Sequence, residues 1–161
     1  FHTQNAVLAP LQATHMGFPF TKRPTRMTGW FKYKAGETFT DKSGNVVTGK
    51  KDRGDIYAVL YEAPTSDFTL DGNLFPDGTG IDEHIVLLAR IPEQEMTETE
   101  EWKKFDLEFT PQNGKNVNTD DLKNGKYKLA VVFSSSVMGA YFQGAVGSEL
   151  YIDEVEIICE N

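Results

Sequence analysis

At 161 residues, 39% of them hydrophobic and 12% aromatic, the chain is long enough to bury a core of its own and too apolar to be disordered. A formal net charge of −8 with no basic stripe argues against a nucleic-acid partner. No run of about 18 apolar residues exists, so no transmembrane segment is expected.

The chain opens at Phe1 without a methionine and shows no secretory-leader pattern, which reads as a fragment or processed product. Its first 25 residues carry little pattern beyond NAVLAPLQA, an expected edge strand. MTGWFKYKAG reads as a strand in which Trp30 and Phe31 face opposite ways, so at most one of them enters the main core. The short KKDR run (Lys50 to Arg53) lies among turn residues and reads as a solvated loop. GDIYAVLYEA and HIVLLARIP are further strands, separated by SDFTLDGNLFPDGTG, whose Asp-Gly pairs and proline mark a long loop.

PEQEMTETEEW is polar nearly all round and offers at best a short exposed turn of helix. WKKFDLEFT alternates cleanly, with Phe105, Leu107 and Phe109 on one face and Lys104, Asp106 and Glu108 on the other. PQNGKNVNTDDLKNG is a second long loop, in which NTDDLKN has a capping residue but little length. KYKLAVVFSS and LYIDEVEIIC are the last strands. In the latter, simple alternation sets Tyr151, Asp153, Val155 and Ile157 on one face, against Ile152, Glu154 and Glu156. Cys159 has no second cysteine to pair with and reads as a buried, inert thiol.

AVVF and IVLLA are apolar on both faces and belong near the middle of a covered sheet. No strand–helix–strand alternation occurs. The expected fold is therefore all-β, an antiparallel two-sheet sandwich of jelly-roll type, formed as one domain over residues 1–161.

Catalytic patterns are weak. Asp106 with Glu108, and Glu154 with Glu156, are neighbours on one strand, whereas a glycosidase needs carboxyls facing each other across a cleft. Ser134 to Ser136 lack the frame of a nucleophile elbow, and His2, His15 and His84 lack zinc spacing.

Sugar binding is better served. A sugar offers apolar C–H faces with hydroxyls at the rim, which suit a flat ring beside planar polar groups. Trp30, Tyr33, Tyr61, Tyr141 and Phe142 are candidate platforms, although ordinary sheet packing also accounts for Trp30. Arg53, Asp55, Arg90 and Gln143 are candidate hydrogen-bonding partners. Tyr141 and Phe142 lie between Gly139, Gly144 and Gly147, where one ring is expected to anchor the loop and the other to stay available.

RPTRMTGWFKYKAGETF, GDIYAVLYEA and GAYFQGAVGSELYIDEVEII together resemble the putative carbohydrate metabolism domain of secreted and cell-surface proteins from glycan-degrading gut bacteria. The resemblance spans roughly residues 15 to 160. It implies a galactose-binding-like jelly roll similar to carbohydrate-binding modules, usually behind an immunoglobulin-like domain that this chain lacks. It also implies a secreted, cell-surface or periplasmic location. Modules of this kind often carry a structural calcium, for which Asp153 is a candidate ligand; an ion pair or hydrogen bond is its other expected fate. The function expected is non-catalytic glycan binding. A glycoside hydrolase and a structural or adhesion module packing on the missing domain are the alternatives.

Overall fold

The computed structural model describes residues 10–75 and 80–160. The described strands are antiparallel and form a five-stranded sheet, a three-stranded sheet and a two-stranded ribbon. In chain order they are β1 (Phe18–Pro19), β2 (Pro24–Lys34), β3 (Phe39–Thr40), β4 (Asp55–Glu62), β5 (Ile85–Arg90), β6 (Thr99–Glu108), β7 (Thr110–Pro111), β8 (Tyr127–Ser134), β9 (Gly144–Ala145) and β10 (Glu149–Cys159). The larger sheet has the order β1-β8-β4-β5-β7, the smaller β10-β2-β6, and the ribbon pairs β3 with β9. The expected all-β sandwich is what forms.

The main core lies between the two larger sheets. Met27, Phe31 and Tyr33 of β2 and Phe105 and Leu107 of β6 meet Ile56, Ala58 and Leu60 of β4 and Leu129 of β8. The alternation in β6 holds as the sequence implies, with Phe105 and Leu107 buried and Asp106 and Glu108 exposed. Each such large side chain contributes about 1.5–3 kcal/mol when fully buried. Gly29 takes an inward position on β2 because a Cβ there would stand 2.5 Å from the Phe105 ring. Phe31 enters the core and Trp30 faces out, as their opposite directions require.

The other face of β4 is equally covered. Tyr57, Val59 and Tyr61 pack with Leu70, Leu74, Phe68, Phe75 and Met16, contributed by the long loop after β4 and by the N-terminal segment. This third layer of irregular chain explains why β4 is buried on both faces. It also absorbs Tyr61, which is buried and donates its hydroxyl to the Met16 carbonyl at 2.7 Å.

Five local expectations need correction. PEQEMTETEEW forms only a turn at residues 93–95, and its last four residues, Thr99–Trp102, open β6. The expected edge strand NAVLAPLQA lies partly outside the described residues, and its remainder, Pro10–Ala13, is a turn of 3-10 helix. NTDDLKN does form a short helix, α1 (Thr119–Lys123), because Asn118 accepts from the Asp120 and Asp121 amides while Leu122 is buried. In β10 the register slips between Asp153 and Glu156, with Glu154 at φ 49°. That bulge restarts the alternation, so Ile152 and Ile157 both pack on the core and Asp153 is exposed. Cys159 is only half-buried, and partial burial still pushes its thiol pKa up.

Candidate functional site

Antiparallel register brings three strand ends together. Asp55, the first residue of β4, pairs with Ser134, the last of β8, and Tyr57 pairs with Arg90, the last of β5. The segments that leave this end of the sheet are residues 50–54, 91–98 and 135–148. Together with the N-terminal segment they wall an open groove of about 1300 Å³.

Asp55 and Tyr57 share one face of β4, and Arg90 stands opposite Tyr57, a diagonal step from Asp55. The result is a two-point ion pair. Arg90 Nε donates to Asp55 Oδ1 at 3.1 Å, and Nη2 donates to Oδ2 at 2.6 Å. The Arg90 guanidinium also lies 4.1 Å from the Phe75 ring centroid and 5.7 Å from that of Tyr57. The Asp55 side chain is only 5% exposed, so this cation offsets the cost of burying its carboxylate. Burial pushes the Tyr57 phenol up to about 12, helped by the Asp55 charge. Its hydroxyl has no hydrogen-bond partner among the described residues and is not fully shielded from solvent, and Tyr57 is one of the residues that line the groove.

Asp52 organises the opposite lip. Its Oδ1 accepts from the Arg53 amide at 2.8 Å and the Ser136 hydroxyl at 2.9 Å. Its Oδ2 accepts from the Ala145 amide at 2.9 Å and the Ser148 hydroxyl at 2.8 Å. A single buried carboxylate thus ties down both ends of the glycine-rich loop. The KKDR run is therefore not simply solvated: Lys50 and Lys51 are exposed, but Asp52 is buried. The expectation that a ring anchors the loop also fails. Tyr141 and Phe142 are both exposed, Phe142 at 64% and with φ 56°, because the polar tether leaves no need for an aromatic one.

The groove brings together Tyr33, Arg53, Asp55, Arg90 and Tyr141 of the residues anticipated from sequence. Burial holds the Tyr33 phenol at about 12, and its hydroxyl donates to the Ser135 carbonyl at 3.1 Å. Arg53 approaches Glu93 at 3.6 Å. Elsewhere lie Trp30, on the outer face of the three-stranded sheet, Tyr61, in the third layer, and Phe142, at the loop tip. Gln143 contributes a backbone carbonyl that the Ser136 hydroxyl approaches at 3.4 Å. Sequence reasoning missed Asp52, Tyr57 and Phe75. Tyr57 alone carried a readable signal, since it stands two residues from Asp55 on the same strand face.

Asp153 does not fit a calcium site. It is exposed, and its carboxylate accepts from the Glu154 amide at 2.8 Å. Among the described residues no group of three or more His, Cys, Asp or Glu is placed to hold a metal. The pair Asp106 and Glu108 lies on the outer sheet face, with Asp106 held by Arg26 at 2.7 Å. No described helix is long and apolar enough to cross a membrane.

The model of the putative carbohydrate metabolism domain matches residues 1–158. The chain belongs to this family. Two solved structures share the fold of this carbohydrate metabolism domain. A "putative glycoside hydrolase" from Bacteroides thetaiotaomicron is 44% identical, with a TM-score of 0.90 over 100% of this chain and 45% of its own. A second "putative glycoside hydrolase", from Bacteroides vulgatus, is 37% identical, with a TM-score of 0.89 over 99% of this chain and 61% of its own. The domain therefore spans less than two thirds of either solved chain. None of the curated proteins matches it.

Proposed function

We propose that this carbohydrate metabolism domain binds a glycan in the groove and does not cleave it. The observation that carries this reading is the Arg90–Asp55 pair, a rigid planar polar group over Phe75, beside a Tyr57 hydroxyl with no hydrogen-bond partner among the described residues. Such a surface offers a sugar hydroxyl a donor and an acceptor at fixed spacing, with apolar ring edges below. Tyr141, exposed on the tethered lip, supplies a second ring.

The groove's carboxylates support binding rather than hydrolysis. Asp52 accepts four hydrogen bonds, Asp55 holds Arg90, Glu93 lies near Arg53, and Glu98 accepts from Lys51 at 2.6 Å. A glycosidic acid needs a raised pKa, whereas the Lys51 hydrogen bond and the Ala35 amide draw Glu98 below the usual carboxylate range. The names of the two solved relatives favour hydrolysis as a second reading. The working context we propose is the surface or periplasm of a gut bacterium, within a longer polypeptide.

A glycan-array screen of the wild type and the Tyr141→Ala and Arg90→Lys variants tests this, with product analysis of every glycan that binds. Binding that both variants weaken, with the glycan recovered intact, is expected. Shortened glycan would replace the binding reading with the enzymatic one, and no binding to any glycan would overturn both.

A further inference from the structure

We propose a second glycan platform, separate from the groove, on the outer face of the three-stranded sheet. The chain has two tryptophans, and both stand here. Trp30 on β2 is 36% exposed and Trp102 on β6 is 42% exposed, while Tyr151 on β10 is 54% exposed. A single exposed ring is ordinary, but three on one sheet face of a small chain call for a cause.

Register places Tyr151 and Trp30, and a ring contact places Trp102 beside Lys32, where β6 departs from regular pairing with β2. Tyr151 pairs with Lys32, and Lys32 in turn holds its ammonium 5.2 Å from the Trp102 ring centroid. In the next row Asp153 pairs with Trp30, which pairs with Lys104. Tyr151 and Trp102 thus stand on the strands either side of β2, about 10 Å apart by strand spacing. Trp30 lies between them, one row along. Rings and charged groups alternate like the squares of a board.

That alternation decides the occupant. The buried centre of a protein interface is depleted of Lys, Asp and Glu, because each must be desolvated. Here every ring is flanked by one of them, so a second protein surface fits poorly. A glycan chain fits well: its apolar faces lie on the rings and its rim hydroxyls reach the ammonium and carboxylate groups between them. On this face Arg26, Lys32, Lys34 and Lys104 are offset by Asp106, Glu108, Glu149 and Asp153, which points to an uncharged chain. The rings lie across three strands, so the ligand is an extended glycan several units long. None of these residues belongs to the groove lining. The inference shares with the proposed function only the class of ligand.

Because both tryptophans sit on this face, tryptophan emission reports on it alone. Native affinity gels containing xyloglucan, galactomannan, laminarin or amylopectin identify which polymer retards the wild type. The same polymer is then titrated against tryptophan emission and acrylamide quenching, and the gels are repeated with Trp102→Ala and Tyr141→Ala. The expected result is a changed emission, reduced quenching and about tenfold weaker retardation of Trp102→Ala, a loss of roughly 1.4 kcal/mol. Retardation with unchanged emission and an unaffected Trp102→Ala variant overturns the platform and leaves the groove standing. Changed emission with an unaffected Tyr141→Ala variant supports the platform and counts against the groove. No retardation and no emission change with any polymer overturns both.

Discussion

Asp52 and Ala145 are 93 positions apart in sequence, yet the Ala145 amide donates to the Asp52 carboxylate at 2.9 Å inside the structure. That bond and its three companions make one side chain the fastening of a loop that carries Tyr141 to the groove.

Asp52→Asn is expected to destabilise the protein although it is nearly isosteric. Four donors converge on two oxygens, and an amide nitrogen accepts none of them. The loss should be about 1–3 kcal/mol, since buried donors are left facing a donor. Denaturant unfolding measures it, and limited proteolysis should show new cleavage between residues 137 and 148.

Arg90→Ala leaves the Asp55 carboxylate buried without its cation. A cost of about 2–4 kcal/mol is expected from the lost charged hydrogen bonds, less than for a wholly buried pair because the guanidinium is partly solvated. Arg90→Lys should recover much of that stability. It cannot reproduce the two-point geometry, so sugar binding should remain weak while stability returns.

Gly29→Ala tests the packing of the main core. The added methyl would meet the Phe105 ring, which β6 holds fast, and a loss of about 1–3 kcal/mol in unfolding free energy is expected.

Two pH limits follow from the titrating groups. Burial raises the phenols of Tyr33 and Tyr57 to about 12. Their unfolded value is about 10, so the stability they contribute is complete below about pH 10 and is lost as pH rises through about 12. Phenolate absorbance should show a late-titrating class coincident with alkaline unfolding. In acid the sign reverses. Hydrogen bonds hold Asp41, Glu98 and Asp106 below their usual values, so their contribution is present above about pH 4 and is lost on further acidification. Glu98 and Asp106 are exposed and Asp41 is only partly covered, so circular dichroism should register only a modest acid loss.

Much of this was legible in the sequence because strand alternation is a local signal. Phe105 and Leu107 face the core as their spacing requires, and Phe31 rather than Trp30 fills it. Alternation failed where the backbone departed from it, at the bulge between Asp153 and Glu156. The site was harder to read, since the contacts that build it join residues far apart in the chain. Arg90 reaches Asp55 only because β4 and β5 pair in one register, and Asp52 looked like part of a charged turn until β9 came to lie against it. Trp102 gave no sign from its own neighbours that it shares a face with Trp30.

The most direct test of the central claim is a nitrogen-15 NMR titration with an oligosaccharide found on the array. The account predicts that the Arg90 Nε–H and the amides of residues 137–145 shift saturably, while the sugar's own spectrum shows its linkages intact after prolonged incubation. Unmoved Arg90 and loop signals at saturating sugar, or new reducing ends, would contradict it.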